Sequence, residues 1–155
     1  MSLGLMHQAS RDWQSALDDF SASQKLHAGM GDKAAEALDW GMLGALYASR
    51  GQYRQKLRAV LRELELLQGG TDRRTETQAL IEVGDCYNAL NLSRKAIEYL
   101  EKARAMAADD PFLKASVLVE LGEVYYNQTK LDAALALKTE GLNIALALDK
   151  AAFVS

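Results

Sequence analysis

The 155-residue chain contains a single proline, Pro111, and a single cysteine, Cys86. One cysteine cannot form an intramolecular disulfide, so no covalent staple contributes to the fold, in keeping with a reducing compartment. No apolar run approaches the roughly 18 residues that a membrane span needs. The N-terminal MSLGLMHQAS lacks the basic flank and sustained apolar stretch of a secretory signal, and the chain reads as cytoplasmic. Positive charge is not in excess either. A net charge of −3 and a pI near 5.4 argue against general affinity for nucleic acid or anionic lipid. Strand signals are also missing, for no stretch alternates apolar with polar residues between hairpin turns.

What remains is helical. With 49% hydrophobic and 25% charged residues, the chain is globular, and it is rich in the good helix formers Ala, Leu, Glu, Lys, Gln and Arg. Turn-forming residues fall at Gly29 to Asp32, Gly51, Gln68 to Asp72, Asn91 to Ser93, Asp109 to Pro111 and Thr129 to Lys130. Asp110 before Pro111 is a helix start: the carboxylate accepts from first-turn amides, and proline has no N–H to leave unpaired. Asp32 and Asp72 cap in the same way. The pattern predicts helices over 12–28, 32–49, 53–68, 72–90, 93–107, 111–128 and 131–148.

One octapeptide then stands out. Trp40, Leu43, Gly44 and Tyr47 lie along one helix face, at the i, i+3, i+4, i+7 rhythm. Leu80, Val83, Gly84 and Tyr87 repeat the spacing, as do Leu118, Leu121, Gly122 and Tyr125. Leu3, Gly4 and His7 match the later part of the pattern as a copy cut short. A second helix follows each copy, with small residues where two helices must meet: Ala16 with Phe20, Ala96 with Leu100 and Ala103, and Ala134. Glycine permits close approach, aromatic rings fill the space between hairpins, and alanine keeps the second helix near. On this reading Trp40, Tyr47, Tyr87 and Tyr125 are core residues, with a ligand-facing indole as the alternative for Trp40.

In these residues the chain resembles the tetratricopeptide repeat family, in a long variety with a period of about 40 residues. Lys56 departs from it, standing where alanine is expected. The resemblance implies an all-α fold, an α-solenoid of antiparallel helix pairs in a right-handed superhelix. It sets repeats near 31–70, 71–109 and 110–148, with a partial one over 1–30 and the start of another at 149–155. Neither end supplies a polar capping unit, so the chain reads as a segment of a longer array whose apolar ends favour self-association.

The resemblance also implies a concave groove lined by first helices. The positions facing it would be Gly41, Met42, Ala45 and Ala48, then Gln78, Ile81, Glu82, Asp85 and Asn88, and finally Glu120, Glu123, Tyr126 and Asn127. The acidic members form either a wall for basic partners or ordinary solvated helix surface. The lysine and asparagine clamp by which some family members hold a C-terminal carboxylate is absent, for Ile81, Asp85, Val119 and Glu123 stand there. The expected partner is thus a protein or peptide, basic or neutral rather than acidic.

Catalytic signals are thin. His7 and His27 lie on different helices without a nucleophile or metal ligand spaced to join them. Cys86 has no CxxC partner and reads as a packing residue, with a redox role as the lesser alternative. Gly69-Gly70 lacks the GK[ST] of a P-loop. Neither cofactor nor metal is expected. Arg50, Arg54, Lys56, Arg58 and Arg62, with Arg73 and Arg74 further on, make the second repeat locally basic. They form either a solvated outer face or a patch for an acidic partner. The expected function is a non-catalytic protein–protein interaction module, part of a larger cytoplasmic regulator or scaffold, that receives a peptide or helix. The alternative is a structural or oligomerising spacer.

Overall fold

A computed structural model describes the backbone of residues 3–70 and 72–154, and the side chains of 12–70 and 72–150. Seven helices account for it: α1 (Leu3–Met30), α2 (Lys33–Ala48), α3 (Tyr53–Leu67), α4 (Arg73–Ala89), α5 (Ser93–Met106), α6 (Pro111–Asn127) and α7 (Leu131–Val154). No strand occurs among the described residues. The chain divides into two compact units, Met1–Gly69 and Gly70–Ser155. In the first, α2 pairs with α3 and α1 packs on α2. In the second, α4 pairs with α5 and α6 with α7, while α6 lies against both α4 and α5. The fold is the all-α helix-pair repeat expected from the sequence.

The helix starts follow capping chemistry. Asp32, Asp72 and Asp110 each accept first-turn amides, from Ala35, from Thr75, and from both Phe112 and Leu113. The turn inside each pair closes by one device. Gly51, Asn91 and Thr129 occupy matching places and adopt left-handed backbone, with φ of 66°, 59° and 60°. The amide after each reaches back to a carbonyl of the final helical turn: Gln52 to Tyr47, Leu92 to Tyr87, Lys130 to Tyr125. This is the Schellman type of helix ending.

The repeat glycines make the pairs close. A Cβ placed on Gly44 would meet Val60, on Gly84 Leu100, and on Gly122 Lys138. Each partner lies sixteen residues on. A second small-large exchange sits beside it. Gly41 leaves room for Glu63, whereas at the matching place in α6 and α7 Val119 stands against Gly141. Volume is conserved although the residues trade sides. Gly41 therefore faces α3 and not a groove.

Tyr87 and Cys86 are buried, as are Ala96, Leu100, Ala103 and Ala134. Tyr47 and Tyr125 are only half-buried, and so is Trp40, whose indole N–H donates to Glu36 Oε1 at 3.2 Å. The expectation that all four aromatics are core holds for Tyr87 alone, because each of the others keeps one edge at the surface. Lys56 is half-buried where Ala96 and Ala134 are covered.

The chain ends depart from the sequence reading. Helix α1 is continuous from Leu3 to Met30, with no turn between residues 3–11 and 12–28, and Ala16 and Phe20 are half-buried. Helix α7 continues through 149–154 where a new helix start was expected. Nothing in either stretch breaks a helix: no proline or glycine lies between Gln8 and Ala28, or between Leu142 and Val154. The side chains of Leu3 and His7 lie outside the described residues.

Candidate functional site

The thirteen predicted groove positions divide between the units. Gly41, Met42, Ala45 and Ala48 are on α2 in the first, where Met42 is 48% exposed. The other nine are on α4 and α6 in the second. There the structure brings four of them together near the C-terminal ends of these two helices. Asn127 Nδ2 donates to Asn88 Oδ1 at 3.1 Å, joining α4 to α6 across 39 residues of sequence. Beside this bond Tyr126 is 57% exposed, and Lys138 Nζ from α7 sits 5.5 Å from its ring centroid. The same ammonium donates to Glu123 Oε1. Gln78 is exposed at the opposite end of α4, and Glu120 lies further back along α6.

Lys138 changes the electrostatics that the sequence suggested. Its stem packs over Gly122 in the place that Val60 and Leu100 hold in the other pairs, and its charge emerges between Glu123 and Tyr126. Glu82, Asp85 and Glu120 are engaged in interactions of their own as well. The four carboxylates are thus not a bare acidic wall. The open face of α4 and α6 is an amide pair, an exposed phenol and a lysine-neutralised glutamate, a set suited to bonding a peptide backbone. A lysine at an otherwise apolar register position was the signal for Lys138, and it was readable once the sixteen-residue spacing was known.

A second feature was not anticipated as a site. Between α6 and α7 opens a cleft of about 550 Å³ lined by Phe112, Ala115, Val119, Gly141, Leu142, Ala145 and Leu148, with Glu120 and Asp149 among its polar members. Phe112 and Leu142 are largely exposed.

In the first unit, α1 and α2 meet through polar groups. His27 Nδ1 lies 2.6 Å from Asp39 Oδ2, Ser23 Oγ donates to Asp39 Oδ1 at 2.8 Å, and Gln24 Nε2 donates to Glu36 Oε1 at 3.0 Å. The carboxylate can only accept, which puts the proton on His27 Nδ1. Both carboxylates are buried, Glu36 at 7% and Asp39 at 8% exposure, so these bonds satisfy groups that would otherwise be costly. Ser23 bonds the carboxylate and not the imidazole, so the three side chains are not ordered as a nucleophile, base and orienter. Among the described residues no three His, Cys, Asp or Glu side chains cluster to hold a metal, and no helix is long and apolar enough to cross a membrane.

No family model matches the chain, and no curated protein matches its sequence. Its likenesses are to solved structures. The crystal structure of BtubC (BKLC) from P. vanneervenii aligns over 88% of this chain with a TM-score of 0.72 at 18% identity. The crystal structure of MamA aligns over 97% of this chain and 98% of its own, with a TM-score of 0.58 at 16% identity. This chain spans 58% of the BtubC chain. At such identities the likeness is one of fold, an all-α helical repeat.

Proposed function

We propose that this chain is a protein-interaction module of the tetratricopeptide type, without catalytic activity, serving within a larger cytoplasmic regulator or scaffold. Its peptide partner lies along the open face of α4 and α6. The observation that carries this reading is the Asn88–Asn127 pair beside exposed Tyr126. A half-buried amide, an exposed one and an exposed phenol on a two-helix surface can orient a peptide backbone. Because Lys138 neutralises Glu123, a neutral or weakly basic partner fits better than a strongly basic one. A peptide array probed with the wild-type chain identifies ligands, and Tyr126→Ala and Asn88→Ala are then titrated by fluorescence anisotropy. Affinity is expected to fall at least tenfold in each variant with helicity unchanged. Ligands that bind both variants as well as wild type refute this face.

The apolar cleft between α6 and α7 favours a second reading, the oligomerising spacer, because Phe112 and Leu142 stand largely exposed along it and a second copy would cover them. Light scattering across a concentration series tests it, with Leu142→Glu expected to abolish any oligomer. A wild-type chain monomeric at all concentrations refutes it.

A further inference from the structure

Helix α3 carries Arg54, Arg58 and Arg62 at intervals of four residues, all exposed. On a helix this spacing sets side chains in one row at steps of about 6 Å. Arg54 and Arg58 have no partner among the described residues, and Arg62 pairs only with Glu65 on its own helix, 2.6 Å away and largely exposed. Such a surface pair contributes little and yields readily to a competing carboxylate. Three guanidiniums in a row are notable on a chain whose net charge is −3.

Beside the row lies a notch of about 340 Å³, lined by Trp40, Tyr47, Gln55, Arg58, Ala59 and Arg62. Its origin lies in the repeat. The residue matching Ala59 in the next helix pair is Tyr99, whose ring packs 5.4 Å from that of Tyr87. With alanine there, the Tyr47 and Trp40 rings keep an uncovered edge. Glu36 lies near by but is occupied, accepting from Trp40 and Gln24.

We infer that this α2–α3 face of the first unit binds an acidic helix bearing one aromatic side chain. The ring enters the notch left by Ala59, and carboxylates four residues apart pair with the arginine row. The match is geometric: glutamates at i, i+4 and i+8 on a partner helix repeat at the same step of about 6 Å, and guanidinium forks bind carboxylates in two-point fashion. This site is separate from the α4–α6 face and does not depend on it.

The test uses the full chain and a designed peptide with glutamates at i, i+4 and i+8 and one phenylalanine on the same face. The chain has two tryptophans, Trp13 and Trp40, and the peptide has none, so Trp13→Phe leaves the notch indole as the reporter. The matched peptide is expected to change Trp40 emission. It should bind at least tenfold more tightly than a scrambled peptide of equal composition, and the Phe→Ala peptide should lose most of this advantage. Arg54→Glu with Arg58→Glu, both exposed and therefore compatible with folding, should weaken binding tenfold or more and flatten its salt dependence. Tyr126→Ala should leave it unaltered, which keeps this outcome distinct from that of the α4–α6 face. Equal affinity for matched and scrambled peptides, indifference to the arginine reversals, or binding without a change in Trp40 emission would each overturn the inference. So would tighter binding of a single-stranded oligonucleotide that displaces the peptide, since the row would then be a phosphate-backbone site.

Discussion

Replacing Gly84 by alanine tests the packing that defines the repeat. An ideal Cβ on Gly84 lies 2.5 Å from Leu100 Cγ, 2.7 Å from Cδ2 and 3.3 Å from Cδ1, whereas carbon atoms in good contact sit about 3.5–4.0 Å apart. The missing ångström has to come from Leu100, which is fully buried, or from the spacing of α4 and α5. Overpacking of this kind costs about 1–3 kcal/mol. Alanine recovers about 1 kcal/mol of helix propensity over glycine, leaving a net loss between zero and about 2 kcal/mol. Gly84→Leu adds bulk without further propensity and should lose at least as much. Leu100→Ala alone should cost about 2–5 kcal/mol. In that background the added methyl enters the space just vacated, so Gly84→Ala should become stabilising. The cycle should therefore show a favourable coupling of about 1–3 kcal/mol. Urea denaturation followed by far-UV circular dichroism measures all four corners. A Gly84→Ala protein that gains the full propensity term in the wild-type background, with no coupling to Leu100, would refute the close approach of α4 and α5.

Three further outcomes follow from particular residues. Thr129 is β-branched and held at a φ of 60°, a region that costs a non-glycine residue about 1–2 kcal/mol. Thr129→Gly should therefore raise the unfolding free energy measured in urea, by up to about 1 kcal/mol once glycine's extra unfolded-state entropy is counted. Asp39→Ala should lower stability by about 1–3 kcal/mol, since it leaves His27 and Ser23 without their shared acceptor. Replacement of the exposed Asp18 serves as the neutral control in the same melt. The Thr75 hydroxyl and amide hold the Asp72 carboxyl below its ordinary value of 3.8. A group so lowered favours folding while ionised. Its contribution is complete above the unfolded value and lost as pH falls from 3.8 towards the folded value. Stability measured through that window should decline less steeply in Asp72→Asn than in wild type.

The fold was legible because its determinants are local and periodic. Asp32, Asp72 and Asp110 mark helix starts by side-chain chemistry acting within three residues, and the glycine stripe recurs at one register, so five of the seven helices lie within two residues of their expected ends. Helices α1 and α7 outran expectation because the reading placed a boundary where the repeat pattern changed, although no residue there interrupts the backbone ladder. The candidate sites were less legible. That Glu123 is neutralised, that Trp40 keeps an open edge, and that Gly41 turns toward Glu63 are facts about which side chain fills the space opposite, fifteen to twenty-two residues away. Sequence alone determined that this chain forms repeated helix pairs and where each pair turns, because caps, breakers and periodicity act along the chain. Only the tertiary structure decided which charges remain available to a partner, because a charge is cancelled or left open by whatever neighbour packing brings within a few ångströms.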